Sequence, residues 1–135
     1  MSAIETFSTS AASDPEVNMS LLIPIDTAPT FKPEQWDAPP DRLIEGHPSF
    51  KSWPQDTAKD GTIQTGVWEA TPGVTHSKKG NTFEFCHILS GVIEITETGG
   101  KTWTFRAGDN FVMKPGFTGV WRTIETVRKV YVVIP

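Results

Sequence analysis

The stretch EFCHILSG, residues 84–91, places a carboxylate, a thiol and an imidazole within four positions of an otherwise apolar segment. Such side chains transfer protons, attack substrates or bind metals in enzymes. Charged residues are seldom fully buried without a partner, so Glu84 needs either solvent, a partner or a chemical role. Alternation along a strand puts Glu84 and Cys86 on one face and His87 on the other. We therefore expect Glu84 and Cys86 to share a pocket and His87 to lie outside it.

Composition and turn spacing predict the fold class. The chain has 135 residues, which suits a single domain, and it holds eleven glycines and eleven prolines. Residues typical of strands alternate with turn sequences such as TGG and KPG. Strands are predicted near residues 62–71, 82–90, 91–97, 101–106, 110–114, 118–124 and 127–134. Seven short strands of this kind predict an all-β jelly-roll barrel.

The N-terminal part of the chain differs in amino-acid composition from the segment that predicts the barrel. Residues 1–19 are small and polar, which predicts a flexible tail. Residues 20–60 are rich in proline and predict an arm, while residues 61–135 predict the barrel itself. Short edge strands are predicted at 20–25, 42–45 and 49–53. The first of these contains Pro24, which cannot donate to a central ladder and therefore favours an edge position.

Charge and cysteine content narrow the partners. A formal net charge of −4 and a pI near 5.3 leave no basic surface field, so we expect no nucleic acid and no membrane partner. Lys78, Lys79 and Lys114 lie in predicted loops or turns and are expected to be solvated surface charges; the alternative is that they attract an anionic ligand. Cys86 is the only cysteine, so no disulfide forms within the chain. Small metabolites or other proteins remain as partners. No segment resembles a secretory signal or a membrane span, which predicts a cytoplasmic protein.

Four sequence blocks occur in an order that resembles one protein family. They are GVWEATPG at 66–73, EFCHILSG at 84–91, AGDNFVMKPGFTGVW at 107–121 and VRKVYVV at 127–133. Six residues separate the glutamate and the glycine of the second block, and a Gly-Asp pair in the third leads into a Pro-Gly turn. This arrangement resembles the two motifs of the cupin superfamily. The blocks are similar to those of short single-domain cupins related to (S)-ureidoglycine aminohydrolase and ethanolamine-utilisation cupins, and the resemblance implies a cupin barrel.

The resemblance also implies where metal ligands would stand. Metal-binding cupins place a His-x-His pair four or five residues before the motif glutamate and another histidine after the second motif. In this chain those positions hold Ser77 and Lys79, or Lys78 and Gly80, and a residue near Gly119. Of the ligand set that the family pattern requires, only the carboxylate remains.

Glu84 is nevertheless the candidate catalytic residue. The resemblance points its side chain into the barrel, where burial would raise its pKa and suit it to proton transfer. His76 lies near the missing histidine pair and forms, with Glu84, the candidate metal site. A transition metal usually takes three or more protein ligands, so a divalent metal (Mn, Fe, Ni or Zn) is considered but not favoured. The structural alternative is an ion pair or hydrogen bond between Glu84 and a buried Lys, Arg or backbone donor.

Aromatic and apolar side chains are the candidate ligand-binding groups. Trp121 shares a strand face with Gly119, and Trp68 is expected to meet it from a neighbouring strand. An indole ring offers a flat apolar wall and one N–H donor, as small-molecule pockets commonly do. The candidate ligand-binding residues are Trp68, Cys86, Phe111, Met113 and Trp121.

Three functions fit these features. The first is an enzyme of the ureidoglycine aminohydrolase-like type that acts on a small polar metabolite, with Glu84 as acid/base or remnant metal ligand. The alternative is a non-catalytic cupin that binds a small molecule for sensing, storage or regulation without a metal. The third is an oligomerisation scaffold, in which the apolar run at 20–25 and the arm add strands to a second copy; we expect a homodimer.

Overall fold

The computed structural model describes residues 20–135, and the tail predicted at 1–19 lies outside the described residues. The described residues contain nine antiparallel strands. The strands are β1 (Glu34–Asp37), β2 (Leu43–Gly46), β3 (Ser49–Ala58), β4 (Ile63–Ala70), β5 (Gly73–Lys78), β6 (Phe83–Glu97), β7 (Thr102–Arg106), β8 (Asn110–Met113) and β9 (Thr118–Ile134). The prediction of an all-β jelly-roll barrel is confirmed.

Two long strands, β6 and β9, pair with each other and join the two sides of the barrel. The first half of β6 also pairs with β8 and its second half with β7. The first half of β9 pairs with β5 and its second half with β4. One side of the barrel is therefore built on β4 and β8, the other on β5 and β7. A cavity lies between these two sides.

The prediction of separate strands at 82–90 and 91–97, and again at 118–124 and 127–134, is wrong, because each pair is one continuous strand. The strand boundary predicted at Gly91 is a bend within β6. Gly91 has a φ of 92°, and a Cβ built there would lie 2.2 Å from the backbone oxygen of Thr126 on β9. Only glycine fits this backbone conformation and this close approach, and β6 continues through irregular register into its second half.

The N-terminal segment holds one wrong prediction and two confirmed ones. Residues 20–25 form no strand, and Leu21 and Leu22 are exposed. The following residues are instead attached by side chains: Gln55 exchanges two hydrogen bonds with the backbone of Asp26, each of 2.8 Å. The strands predicted at 42–45 and 49–53 are present as β2 and β3, and β3 extends to residue 58. Addition of this segment to a second copy stays a prediction.

Strand β5 was not predicted, although it carries part of the site. Its residues Thr75, His76, Ser77 and Lys78 are polar, so the segment lacks the apolar alternation that indicates a strand. The structure explains the polarity, because this part of β5 lines a cavity. The apolar core lies beside it, and its most deeply buried side chains are Val67, Cys86, Ile88, Ile93 and Val127. The described residues include no helix long and apolar enough to cross a membrane.

Candidate ligand-binding site

A cavity of about 600 Å³ opens between the two sides of the barrel, a volume that suits a small molecule. Four cationic side chains and two carboxylates line it: Arg42, Lys78, Lys79 and Lys129 against Asp41 and Glu84. Aromatic rings from four strands form part of its wall, and they include Trp36, Phe50, Trp68 and Trp121. The cavity therefore combines apolar walls with an excess of positive charge.

Glu84 lies at the centre of this charge, held between two ammonium groups. The Nζ atom of Lys79 donates to Oε1 over 2.6 Å, and the Nζ atom of Lys129 donates to Oε2 over 2.7 Å. Burial alone would raise the pKa of Glu84, but the charges of Lys129 and Lys79 outweigh it and lower this pKa to about 2. The expected raised pKa is wrong, and the structural alternative is confirmed, because Glu84 pairs with the buried Lys129 as well as with Lys79. Glu84 is ionised at neutral pH and is a poor proton acceptor.

Lys129 was missed by the sequence analysis and is the most deeply buried cation of the site, with 5 % of its surface exposed. It lies opposite Trp68 in the β4–β9 register. Its Nζ atom stands 4.2 Å from the ring centroid of Trp68 and 4.8 Å from that of Trp121. Burial opposes the charge, yet the carboxylate of Glu84 raises the pKa of Lys129 above its ordinary value. Lys129 is thus charged at neutral pH.

A signal for Lys129 was present in the fourth sequence block. In VRKVYVV, alternation places Lys129 on the same strand face as Val127 and Tyr131, both of which are buried. A lysine flanked by apolar residues at i−2 and i+2 is an inward-facing cation, which requires an inward-facing anion. Glu84 is that anion.

The expectation that Lys79 is a solvated surface charge is wrong. Strand β5 ends at Lys78, and a turn follows in which the backbone N–H of Thr82 donates to the carbonyl of Lys79 over 2.9 Å. This turn returns the chain toward β6, so the side chain of Lys79 reaches Glu84 and is only 18 % exposed. Lys78 and Lys114 are exposed, as expected.

The other predicted site residues separate into two groups. Trp68, Trp121 and Met113 line the cavity with Glu84, and the two indoles meet edge to face with centroids 5.5 Å apart. Phe111 does not line this cavity; it stacks on Phe105 and lines a second cavity of about 720 Å³ between β7 and β8. The expected alternation of β6 is confirmed, since Glu84 is buried while His87 is half-buried on the other face and bonds to Asn110.

Cys86 belongs to the core, behind the carboxylate, and does not line the cavity. It is fully buried, and its Sγ–H donates to Oε2 of Glu84 over 3.2 Å. Burial and the adjacent carboxylate raise the pKa of this thiol to about 12. At neutral pH the thiol is protonated, so Cys86 acts as a small apolar side chain and a weak hydrogen-bond donor.

We expect Cys86 to resist a thiol reagent such as 5,5′-dithiobis(2-nitrobenzoate) in the native protein at about pH 8, because the reactive thiolate is scarce and sterically inaccessible. One thiol should react once the chain is unfolded in guanidinium chloride, which serves as the control. The measurement is the absorbance of released thionitrobenzoate against time. Rapid stoichiometric reaction of the folded protein would contradict the buried position.

The residues at the candidate metal site do not fit a divalent cation. His76 is exposed on the rim of the cavity, and both carboxylate oxygens of Glu84 are bound by ammonium groups. Within residues 20–135, no three His, Cys, Asp or Glu side chains come close enough together to hold a metal ion. A metal at Glu84 would have to displace two bound cations at contact distance.

Comparison with solved structures finds the same fold in several proteins. A protein of unknown function from Pseudomonas syringae pv. tomato, of the DUF861 family, superposes with a TM-score of 0.72 and 24 % identity over 81 % of this chain. This chain spans only 46 % of that protein's length. Ectoine synthase from P. lautus gives a TM-score of 0.58 with 21 % identity, over 73 % of this chain and 68 % of its own.

The EutQ protein of Clostridium difficile gives a TM-score of 0.57 with 16 % identity, over 65 % of this chain and 64 % of its own. At these identities the likeness establishes the fold alone. A search of curated proteins finds no match. The model of the EutQ-like cupin domain matches residues 57–131, which is more than half of the chain, and the chain therefore belongs to the EutQ-like cupin domain family.

Proposed function

We propose that this protein binds a small organic acid in the cavity through the acid's carboxylate group. The proposal rests on the sign of the charge that lines the cavity. The chain has a formal net charge of −4, yet its cavity is lined by four cationic side chains and two carboxylates. A cleft with low-dielectric walls focuses the field of such charges, so this one attracts anions.

Lys79 and Lys129 are the groups suited to hold the ligand carboxylate. Each ammonium carries three N–H donors and gives one to Glu84, which leaves donors for a second acceptor. Glu84 fixes the positions of both ammonium groups, so little reorganisation is needed when a ligand arrives. The indole walls favour an apolar or planar body on the same molecule.

The protonation states favour binding over a reaction in which Glu84 moves a proton. The pKa of Glu84 is lowered to about 2, and the pKa of Cys86 is raised to about 12. Neither group is a general base or a nucleophile near neutral pH, where the ideal catalytic pKa lies near the working pH. We therefore propose a binding cupin instead of an enzyme of the ureidoglycine aminohydrolase type.

The proposal is tested with matched acids and amides. Benzoate, phenylacetate and succinate are titrated into the protein, alongside benzamide, phenylacetamide and succinamide, and binding is followed by calorimetry and by the shift in Tm. We expect at least one of the acids to bind and its neutral amide to bind at least tenfold more weakly, because charge-assisted hydrogen bonds to the lysines require an anion. Equal binding of acid and amide would refute the proposal.

A matched pair of lysine variants locates the site. Lys79→Gln removes a half-buried ammonium at the cavity, whereas Lys101→Gln removes an exposed one that stands 3.9 Å over the ring of Trp103, outside the cavity. Lys79→Gln should weaken acid binding about ten- to hundredfold, the range expected for a hydrogen bond to a charged group. Lys101→Gln should leave the affinity unchanged. Loss of affinity in both variants, or in neither, would place the acid elsewhere.

A further inference from the structure

The family's metal-ligand positions come together in this fold, but with different side chains. Ser77 on β5 lies opposite Gly119 on β9 in the register of those strands, and Lys79 follows two residues later and reaches Glu84. Ser77 and Lys79 are one of the two pairs that the family's spacing matches to the His-x-His pair, and Gly119 lies where the downstream histidine would stand. The scaffold that would arrange the metal ligands is thus retained, while an alcohol, an ammonium and a hydrogen atom replace the imidazoles.

The third position is closed to any larger side chain. A Cβ atom built on Gly119 would lie 2.4 Å from the backbone oxygen of Thr96 and 2.8 Å from the ring of Phe117. The first of these contacts is with backbone on the paired strand β6, which cannot move aside as a flexible side chain would. The Phe117 ring therefore lies where a side chain at Gly119 would begin.

Lys129 supplies the positive charge that such a site otherwise takes from a metal. Its ammonium lies 2.7 Å from Oε2 of Glu84 and faces the rings of Trp68 and Trp121. This cation comes from a position on β9 that lies outside the family's pattern of metal ligands. Together with Lys79 it places two fixed positive charges on one carboxylate.

We infer that the ammonium groups of Lys79 and Lys129 occupy the place of the metal ion in this cupin. These two side chains supply the positive charge of the site, which therefore works without a divalent metal. The carboxylate that would be a metal ligand becomes a structural counter-ion. The site keeps a net positive charge for an acidic ligand, and its charge does not depend on the supply of metal. The part of this inference that concerns the ligand rests on the proposed function, whereas the exclusion of metal does not.

The first test measures metal on the protein alone. The purified chain is dialysed against Mn²⁺, Fe²⁺, Ni²⁺ and Zn²⁺ in separate samples, freed of excess ion, and analysed by elemental mass spectrometry and by calorimetric titration. We expect no stoichiometric metal, and a Tm that does not change with EDTA. One equivalent of any of these ions bound with micromolar or tighter affinity would overturn the inference. No organic ligand is present, so the result is independent of the proposed carboxylate binding.

The second test removes the two ammonium groups and restores the histidine pair. The triple variant Ser77→His, Lys79→His, Lys129→Met brings two imidazoles toward a Glu84 that has lost both lysine partners, which makes three ligands for Zn²⁺ or Ni²⁺. We expect a gain of at least a hundredfold in affinity for these ions over the wild-type chain. The same triple variant with Glu84→Gln is the control and should lose the gain. A triple variant that folds by circular dichroism but gains no affinity would contradict the inference.

Discussion

Replacing Glu84 by glutamine is expected to lower the free energy of unfolding by about 3–5 kcal/mol, because it leaves the ammonium groups of Lys79 and Lys129 without their shared counter-ion. Lys129 has 5 % of its surface exposed, so water cannot replace the lost carboxylate. The side chain of glutamine keeps the shape but presents one neutral acceptor to two cations. The measurement is urea unfolding followed by tryptophan fluorescence.

The same substitution elsewhere on β6 provides the control. Glu94 is 38 % exposed at its side chain, and its nearest basic atom, Nε of Arg122, is 3.9 Å away. Glu94→Gln should change stability by no more than about 0.5 kcal/mol, as exposed ion pairs contribute little. Adding Lys129→Met to Glu84→Gln should recover much of the lost stability, since no fully buried charge is then left unpaired. A Glu84→Gln protein as stable as wild type would show that the carboxylate does not stabilise the lysines.

Acid is expected to remove this same stabilisation. The pKa of Glu84 falls from an ordinary value of 4.5 to about 2 on folding, so the folded state favours the ionised form. The contribution is complete above about pH 4.5 and is lost as the pH falls toward 2, because the unfolded chain then takes up a proton that the folded chain resists. The difference of about 2.5 pKa units corresponds to about 3 kcal/mol for this buried group.

The pH effect is best measured as a difference between two proteins. Unfolding of wild type and of Glu84→Gln is followed from about pH 6 to about pH 3, which cancels the titration of the other carboxylates. The two stability curves should converge as the pH falls, because protonated glutamic acid resembles glutamine. Curves that stay parallel across this range would mean that the pKa of Glu84 is not lowered in the folded state.

The faces of the strands were predictable from sequence. Alternation in EFCHILSG placed Glu84 and His87 on opposite faces, and the resemblance to cupins pointed Glu84 inward; the structure shows both. Trp68 and Trp121 were expected to meet at one pocket, and they line the same cavity. These predictions succeed because successive side chains of a strand point to opposite faces whatever the strand pairs with. The fold class followed from the same local information.

The features of the site that depend on contacts between distant parts of the chain could not be predicted from local sequence patterns. The boundary predicted between two strands at Gly91 is a bend within β6, because glycine permits both and only the close approach of Thr126 to Gly91 distinguishes them. Cys86 and Phe111 face the interior, as expected, yet the interior is divided into a core and separate cavities. Which of these an inward side chain meets depends on the packing of both sides of the barrel.

What the sequence determined, through strand alternation and through its resemblance to cupins, is that one carboxylate faces the interior of a β-barrel with aromatic residues near it. What the tertiary structure decided is which cations meet that carboxylate. Lys129 is 45 residues away along the chain, and it arrives through the register of β9 against β6 and β4. Lys79 arrives through the direction of the turn after β5. Coulomb energy depends on distances of a few ångströms. The face of a strand does not specify such distances, whereas the register between strands does. The net charge of the site and the pKa of Glu84 are therefore set by the tertiary structure.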